Sequence, residues 1–193
     1  MSSQDIKDAA LHLFAENGYD GTSLSNIAEK VGLKKQSIYS HFKSKDDLFL
    51  QILKDTFIIE LQREKDYLAD HFEDQLHDCL FNSLRTYIER FHTDSRLKFL
   101  LRVSFFPPAH LYGEIISSLY SHIDQVDALY LERFQRAIEQ KEMKQADAEI
   151  ANMAFASLID AICVELVYGG TLRTERKLKA SWTIFWNGIT HHE

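Results

Sequence analysis

Between Thr22 and Lys45 the chain reads TSLSNIAEKVGLKKQSIYSHFKSK, two short apolar stripes parted by one glycine. Leu24, Ile27, Ala28 and Val31 keep the spacing of a single helix face, and Gly32 breaks the run. Ile38 and Phe42 then supply the inward face of a second short helix. Lys34, Lys35, Gln36, Ser37, Tyr39, Ser40 and His41 are left as an outward set suited to hydrogen-bonding phosphates and base edges. The stretch predicts a helix-turn-helix of the kind that reads DNA, followed by a basic segment entering a further helix.

The flanks extend the helical pattern. Ile6, Ala9, Ala10, Leu13 and Phe14 mark a buried stripe over residues 5–17, which Asn17-Gly18 ends. Thr22 or Ser23 caps the next helix, and Glu29 lies too far on to close a capping box with either. Ser44 caps the fourth helix, with Asp46 and Asp47 in its first turn. Leu48, Phe49, Ile52, Leu53 and Phe57 carry that helix to about residue 68, and no glycine or proline separates it from the preceding module, so it reads as a rigid connector. Further helices are expected over 76–91, over 97–103 up to Pro107-Pro108, and over 111–140, the last either unbroken or interrupted near Tyr120. A strongly apolar helix over 147–168 ends at Gly169-Gly170, and a last one runs over 174–189. No strand signal is present. The class is all-α: a three-helix DNA-binding domain over residues 1–46 and a larger helical domain over 47–193.

Charge supports a local reading. The net charge of −7 argues against nucleic acid for the chain as a whole. Residues 30–45, however, hold Lys30, Lys34, Lys35, Lys43 and Lys45 and no Asp or Glu, so a window of +5 leaves −12 for the remainder. Phosphate contacts are local, and a basic patch on an acidic body can still bind DNA. Hydrophobic residues at 45% and charged residues at 26% fit a soluble globular protein. No apolar run of bilayer-spanning length is read, the start MSSQDIKDAA lacks a secretory pattern, and Cys79 and Cys163 stand alone. The expectation is a cytoplasmic protein with no membrane partner.

Catalytic and metal patterns are incomplete. Glu89-x-x-His92 would be one half of a di-iron ligand set, and no second copy occurs. The nine histidines do not fall into zinc spacing, His191-His192 is too short for a metal tract, and neither a phosphate loop nor a nucleophile elbow is found. No catalytic residue, metal or cofactor is expected, and the chain is read as no enzyme. Asp160 and Glu165 interrupt the apolar helix over 147–168, and unpaired buried charge is expensive. A polar pairing across a dimer interface or a solvent-facing position is favoured over contact with an effector. The aromatics Tyr87, Phe91, Phe105, Phe106, Tyr112 and Phe155 are mostly core candidates, some of which would line a pocket near Pro107-Pro108.

The pattern AALHLFAENGYDGTSLSNIAEKVGLKKQSIYSHFKSKDDLF resembles the N-terminal domain of TetR-family transcriptional regulators, with its parts in the family's order. That resemblance implies roles. Thr22, beside Ser23, would donate to a phosphate at a helix N-terminus, and Tyr39, His41 and Lys45 would contact backbone phosphates. Lys35, Gln36, Ser37 and Ser40 would face the major groove beside Lys34. Many members have Gly or Pro where this chain has Gln36, whose amide is able to pair with adenine. The resemblance further implies a homodimer on a palindromic operator and a small-molecule effector that releases a repressor, with the fourth helix as the lever. The last two helices would pair with their mates through Ile150, Met153, Phe155, Leu158, Ile162, Trp182, Phe185 and Trp186. A constitutive DNA-binding organiser and a helical metal-binding enzyme are the alternatives.

Overall fold

The computed structural model describes residues 2–144 and 147–190; His191-His192 lie outside the described residues. The described chain is helical, with no strand among those residues. The helices are α1 (Ser3–Asn17), α2 (Leu24–Lys30), α3 (Lys35–Ile38), α4 (Lys45–Asp70), α5 (Leu76–Phe91), α6 (Ser95–Phe105), α7 (Tyr112–Glu139), α8 (Ala148–Tyr168) and α9 (Thr171–Thr190), with a 3-10 turn over Ala109–Leu111. α7 passes through Tyr120 without a break. α9 begins three residues before its expected start, because Gly170, at φ 73°, turns the chain within the two-glycine joint.

The chain forms two compact units. One comprises Met1–Glu60 with Thr93–Ser121. Its core gathers Ile6, Phe14, Ile27, Ile38, Phe42, Leu48, Phe49 and Phe99, all essentially without solvent contact. Phe14 and Phe49 meet edge to face at 5.0 Å, and Phe99 of α6 lies 5.4 Å from Phe49. α6 is tied to the end of α1 by Arg102, whose Nε donates to Ala15 O at 2.9 Å and whose Nη2 donates to Glu16 O at 3.1 Å. These are carbonyls that the end of an α-helix leaves unpaired. The division at residue 46 separates the helix-turn-helix by its chemistry; by packing, the first turns of α4 and all of α6 share its unit.

The second unit comprises Leu61–His92 and His122–Glu193. Its core centres on Phe155 of α8, with Tyr130 at 5.2 Å, Phe185 at 6.0 Å and Phe134 at 6.1 Å. A polar cluster is buried beside it: Tyr130 donates to Glu64 Oε2 at 2.8 Å, Tyr87 donates to Glu64 Oε1 at 3.1 Å, and Ser83 lies 2.5 Å from the Tyr130 hydroxyl. These bonds satisfy hydroxyls that would otherwise be costly to bury.

Two sequence expectations change here. α8 has 21 residues and is, by length and composition alone, apolar enough to cross a membrane, so the reading that no such run exists is corrected. The helix is apolar because both of its sides are. Ala151, Phe155, Ile162 and Leu166 are buried in the unit, while Ile150 and Met153 are exposed. For the same reason the expected dimer set divides. Phe155, Ile162, Trp182 and Phe185 belong to the protomer's own core, and Ile150 and Met153 do not.

Candidate nucleic-acid interface

The turn between α2 and α3 is set by one residue. Gly32 has φ 68°, its N–H donates to Glu29 O at 3.1 Å, and the next N–H, of Leu33, donates to Ala28 O at 2.8 Å. This paired closure of a helix end requires the left-handed conformation that glycine adopts without steric cost. The chain then re-enters a helix at Lys35. α3 is regular for only four residues, and hydrogen bonds from His41 N and Phe42 N to Ile38 O, both 3.0 Å, carry the turn onward. Ile38 and Phe42 are buried, as their spacing predicts.

Burial of that pair turns the remaining side chains outward. Lys34, Lys35, Gln36, Tyr39, Ser40 and His41 are exposed, and Ser37 is partly so. The Ser40 hydroxyl donates to Ser37 O at 2.7 Å and keeps its acceptor lone pairs. Lys30, Lys34 and Lys35 form no ion pair among the described residues, so their ammonium groups stand in water beside Gln36. The arrangement presents positive charge beside exposed amide and hydroxyl groups, the groups with which protein surfaces meet phosphates and base edges.

Ser23 is the cap of α2. Its Oγ accepts from Asn26 N at 3.1 Å while Asn26 Oδ1 accepts from Ser23 N at 3.0 Å, a reciprocal box that Asn26 closes although Glu29 is too distant. Thr22 is placed differently from its expected role. It is 1% exposed, and its hydroxyl donates to Leu13 O at 3.1 Å, so it tethers the loop to α1 instead of offering a free donor to phosphate. Lys45 is also engaged internally. Its Nζ donates to Tyr19 O and Thr22 O, both at 3.0 Å, and sits 3.8 Å from the centre of the Tyr19 ring. An ammonium has three N–H donors, so one stays available.

Sequence reasoning passed over the partners in this clamp. The Tyr19 hydroxyl donates to Asp46, and His110 Nε2 lies 3.4 Å from the same carboxylate. The Tyr19 hydrogen bond, more than His110, holds the Asp46 carboxyl below its ordinary value. Lys45 and Asp46 thus fasten the start of α4 to the α1–α2 loop. Their spacing in sequence carried no sign of it, because Tyr19 is 26 residues upstream of Lys45.

The residues proposed for an effector fall in both units. Phe105, Phe106 and Tyr112 belong to the first, and Phe106 and Tyr112 are more than half exposed. Tyr87, Phe91, Phe155, Asp160 and Glu165 belong to the second. Phe155 is core, Tyr87 is bonded to Glu64, and Asp160 is exposed. Glu165 is 4% exposed and accepts from Arg173 Nε at 2.7 Å and Lys177 Nζ at 2.9 Å. Its pairing is therefore within the α8–α9 hairpin, which corrects the expectation of a pairing across a dimer interface or a solvent-facing position. Among the described residues no three His, Cys, Asp or Glu side chains converge as a metal site.

The Glu165 pairing makes a pH prediction. Lys177 first, then Arg173, holds the carboxyl below its ordinary value of 4.5. A depressed folded-state value stabilises the fold above the unfolded-state pKa and ceases to do so as pH falls through the folded one. The thermal midpoint of the native protein should therefore exceed that of Glu165→Gln near neutrality, with the gap closing as pH drops below 4.5. A gap independent of pH would contradict the assignment.

Residues 6–52 match the family described as bacterial regulatory proteins, tetR family. The chain is 37% identical over 92 residues to the biofilm operon icaADBC HTH-type negative transcriptional regulator IcaR of Staphylococcus aureus, covering 45% of this chain and 50% of that protein. It thus spans about half the length of the curated relatives it matches. In fold it is similar to a TetR-family transcriptional regulator of Mesorhizobium loti, with TM-score 0.75 and 23% identity over 98% of this chain and 96% of the other. It is also similar to the transcriptional regulator FadR of Bacillus subtilis, solved in complex with stearoyl-CoA, with TM-score 0.72 and 18% identity over 97% of this chain and all of the other. The three proteins named are transcriptional regulators.

Proposed function

We propose that this chain, whose residues 6–52 match the tetR family of bacterial regulatory proteins, is a sequence-specific DNA-binding repressor. It acts as a cytoplasmic homodimer on a palindromic operator and is released by a small-molecule effector. The observation that carries the reading is the outward face at the start of α3, where exposed Lys34 and Lys35 precede Gln36 while Ile38 and Phe42 anchor the backbone. Ser23, Lys34, Tyr39, His41 and the remaining Lys45 donor position the duplex. Lys35, Gln36, Ser37 and Ser40 meet base edges. Thr22 serves from beneath, by fixing the loop that carries Ser23.

Release requires an effector that prefers a dimer whose reading heads are wrongly spaced, because only differential affinity shifts a population. α4 runs from Lys45 to Asp70 without interruption, which supports its role as the lever.

The test separates positioning from reading. Lys34→Ala should weaken binding to every duplex alike and lower the salt slope by roughly 0.9 per phosphate lost. Gln36→Ala should instead change which base is preferred at one position of each half-site, at about 1–3 kcal/mol. Measured by fluorescence anisotropy on a set of single-base operator variants, equal losses for both substitutions on every duplex would overturn the division of roles.

A further inference from the structure

A groove in the second unit carries guanidinium donors that its own packing does not use. Lys65 and Leu68 on the C-terminal half of α4, followed by Phe72, face Leu129, Arg133 and Arg136 of α7 around a cavity of about 240 Å³. Arg133 is 6% exposed. Its Nη2 donates to Asp74 O at 2.9 Å and to Glu142 Oε1 at 3.1 Å, but its buried Nε and Nη1 find no acceptor among the described residues. The Arg133 charge and a hydrogen bond from its guanidinium work against the upward push of burial on the Cys79 thiol, but sulfur is a weak acceptor and one such contact leaves a second buried donor unmatched. Arg136, three residues on and on the same face of α7, lies over the Phe72 ring at 3.5 Å and likewise has a buried Nη1 with no acceptor among the described residues.

We propose that this groove binds a small amphipathic carboxylate. Buried charged donors without acceptors are costly, and a carboxylate supplies two oxygens that match guanidinium forks. The charge count selects a monoanion: Lys65, Arg133 and Arg136 oppose Glu132, which also lines the groove, and Glu142, which is bonded to Arg133, leaving one positive charge. A phosphate dianion would exceed that balance. Leu68, Phe72 and Leu129 form an apolar wall, so the ligand carries a short hydrocarbon or aryl body beside its acid. The volume is below the usual span of roughly 300–1,000 Å³ for drug-sized ligands, which limits that body to a small one. As the effector site of a regulator this groove rests on the preceding reading; as a carboxylate site it stands on the residues named.

Octanoate, octanol and octylamine are the probes, titrated calorimetrically into the full-length protein. Octanoate should bind saturably, one per protomer, and octanol and octylamine at least roughly tenfold more weakly. Arg136→Gln should reduce octanoate affinity by about tenfold or more. Ala69→Trp, which fills the groove without altering charge, should abolish it, with melting curves confirming that both variants fold. Octanol binding as tightly as octanoate, no saturable heat from octanoate, or native-like affinity in both variants would each overturn the site. A parallel titration of the DNA complex distinguishes the two readings. Displacement of DNA by octanoate supports the groove as the effector site, and binding without displacement overturns that role while leaving the carboxylate site. Failure of the unliganded protein to bind any duplex counts against the regulator reading alone.

Discussion

Replacing Met153 and Ile184 together with glutamate is expected to convert a dimer into a monomer and to weaken operator binding by at least about a hundredfold. Met153 of α8 is 70% exposed and Ile184 of α9 is 75% exposed, values that an isolated soluble protomer has no reason to cluster. On α8 the exposed positions Ile150, Met153, Ser157, Val164 and Tyr168, with half-buried Ala161 between them, recur at steps of three and four, the spacing of a helix-packing seam. Leu172 extends the apolar face onto α9. Four added carboxylates across a two-fold axis would repel and would be desolvated. Each half-site would then be bound singly, and linked binding of two sites is worth roughly 10²–10⁴ over one. Light scattering coupled to gel filtration reads the mass, and anisotropy reads the affinity. A monomeric native protein, or a variant that remains dimeric, would contradict the proposed seam.

The second large effect is on stability. Phe49→Ala should lower the free energy of unfolding by about 3–5 kcal/mol, the range for truncating a fully buried aromatic. Phe49 is where three segments meet α4: Phe14 of α1 at 5.0 Å, Tyr19 of the α1–α2 loop at 5.1 Å and Phe99 of α6 at 5.4 Å, all near edge-to-face geometry. Each such pair adds about 0.5–1.5 kcal/mol beyond area burial. Loss of the ring also frees Tyr19, whose carbonyl and ring hold Lys45. DNA affinity should therefore fall even where the variant remains folded. Urea unfolding gives the free energy directly, and a change under about 1 kcal/mol would show that the ring is not the keystone of this core.

The parts of this protein that follow local rules were legible in the sequence. Ile38 and Phe42 face inward because their spacing allows nothing else, and Gly32 lies where a helix must close in the left-handed region. Ser44 caps α4, accepting from Asp47 N at 3.0 Å, as its position implies. What local rules do not reach is contact between distant segments. Thr22 looks like a surface cap until Leu13 O, nine residues upstream, accepts a hydrogen bond from its hydroxyl. Lys45 looks like a free cation until the loop returns beneath it. Glu165 meets Arg173 and Lys177 only because the chain reverses at Gly169-Gly170. α8 defeated the reading for another reason. It is apolar nearly all round, so its pattern has no phase with which to tell Phe155, in the core, from Ile150, outside it.

The central claim is that Lys30 to Lys45, presented twice by a two-fold dimer, reads a particular DNA sequence. Selection of bound duplexes from a random pool by the full-length protein tests it most directly. The account predicts enrichment of an inverted repeat whose half-site centres are separated by one helical turn, roughly 34–36 Å, or a multiple of it. Recovery of duplexes with no shared sequence, or of a single unsymmetrical site, would contradict it.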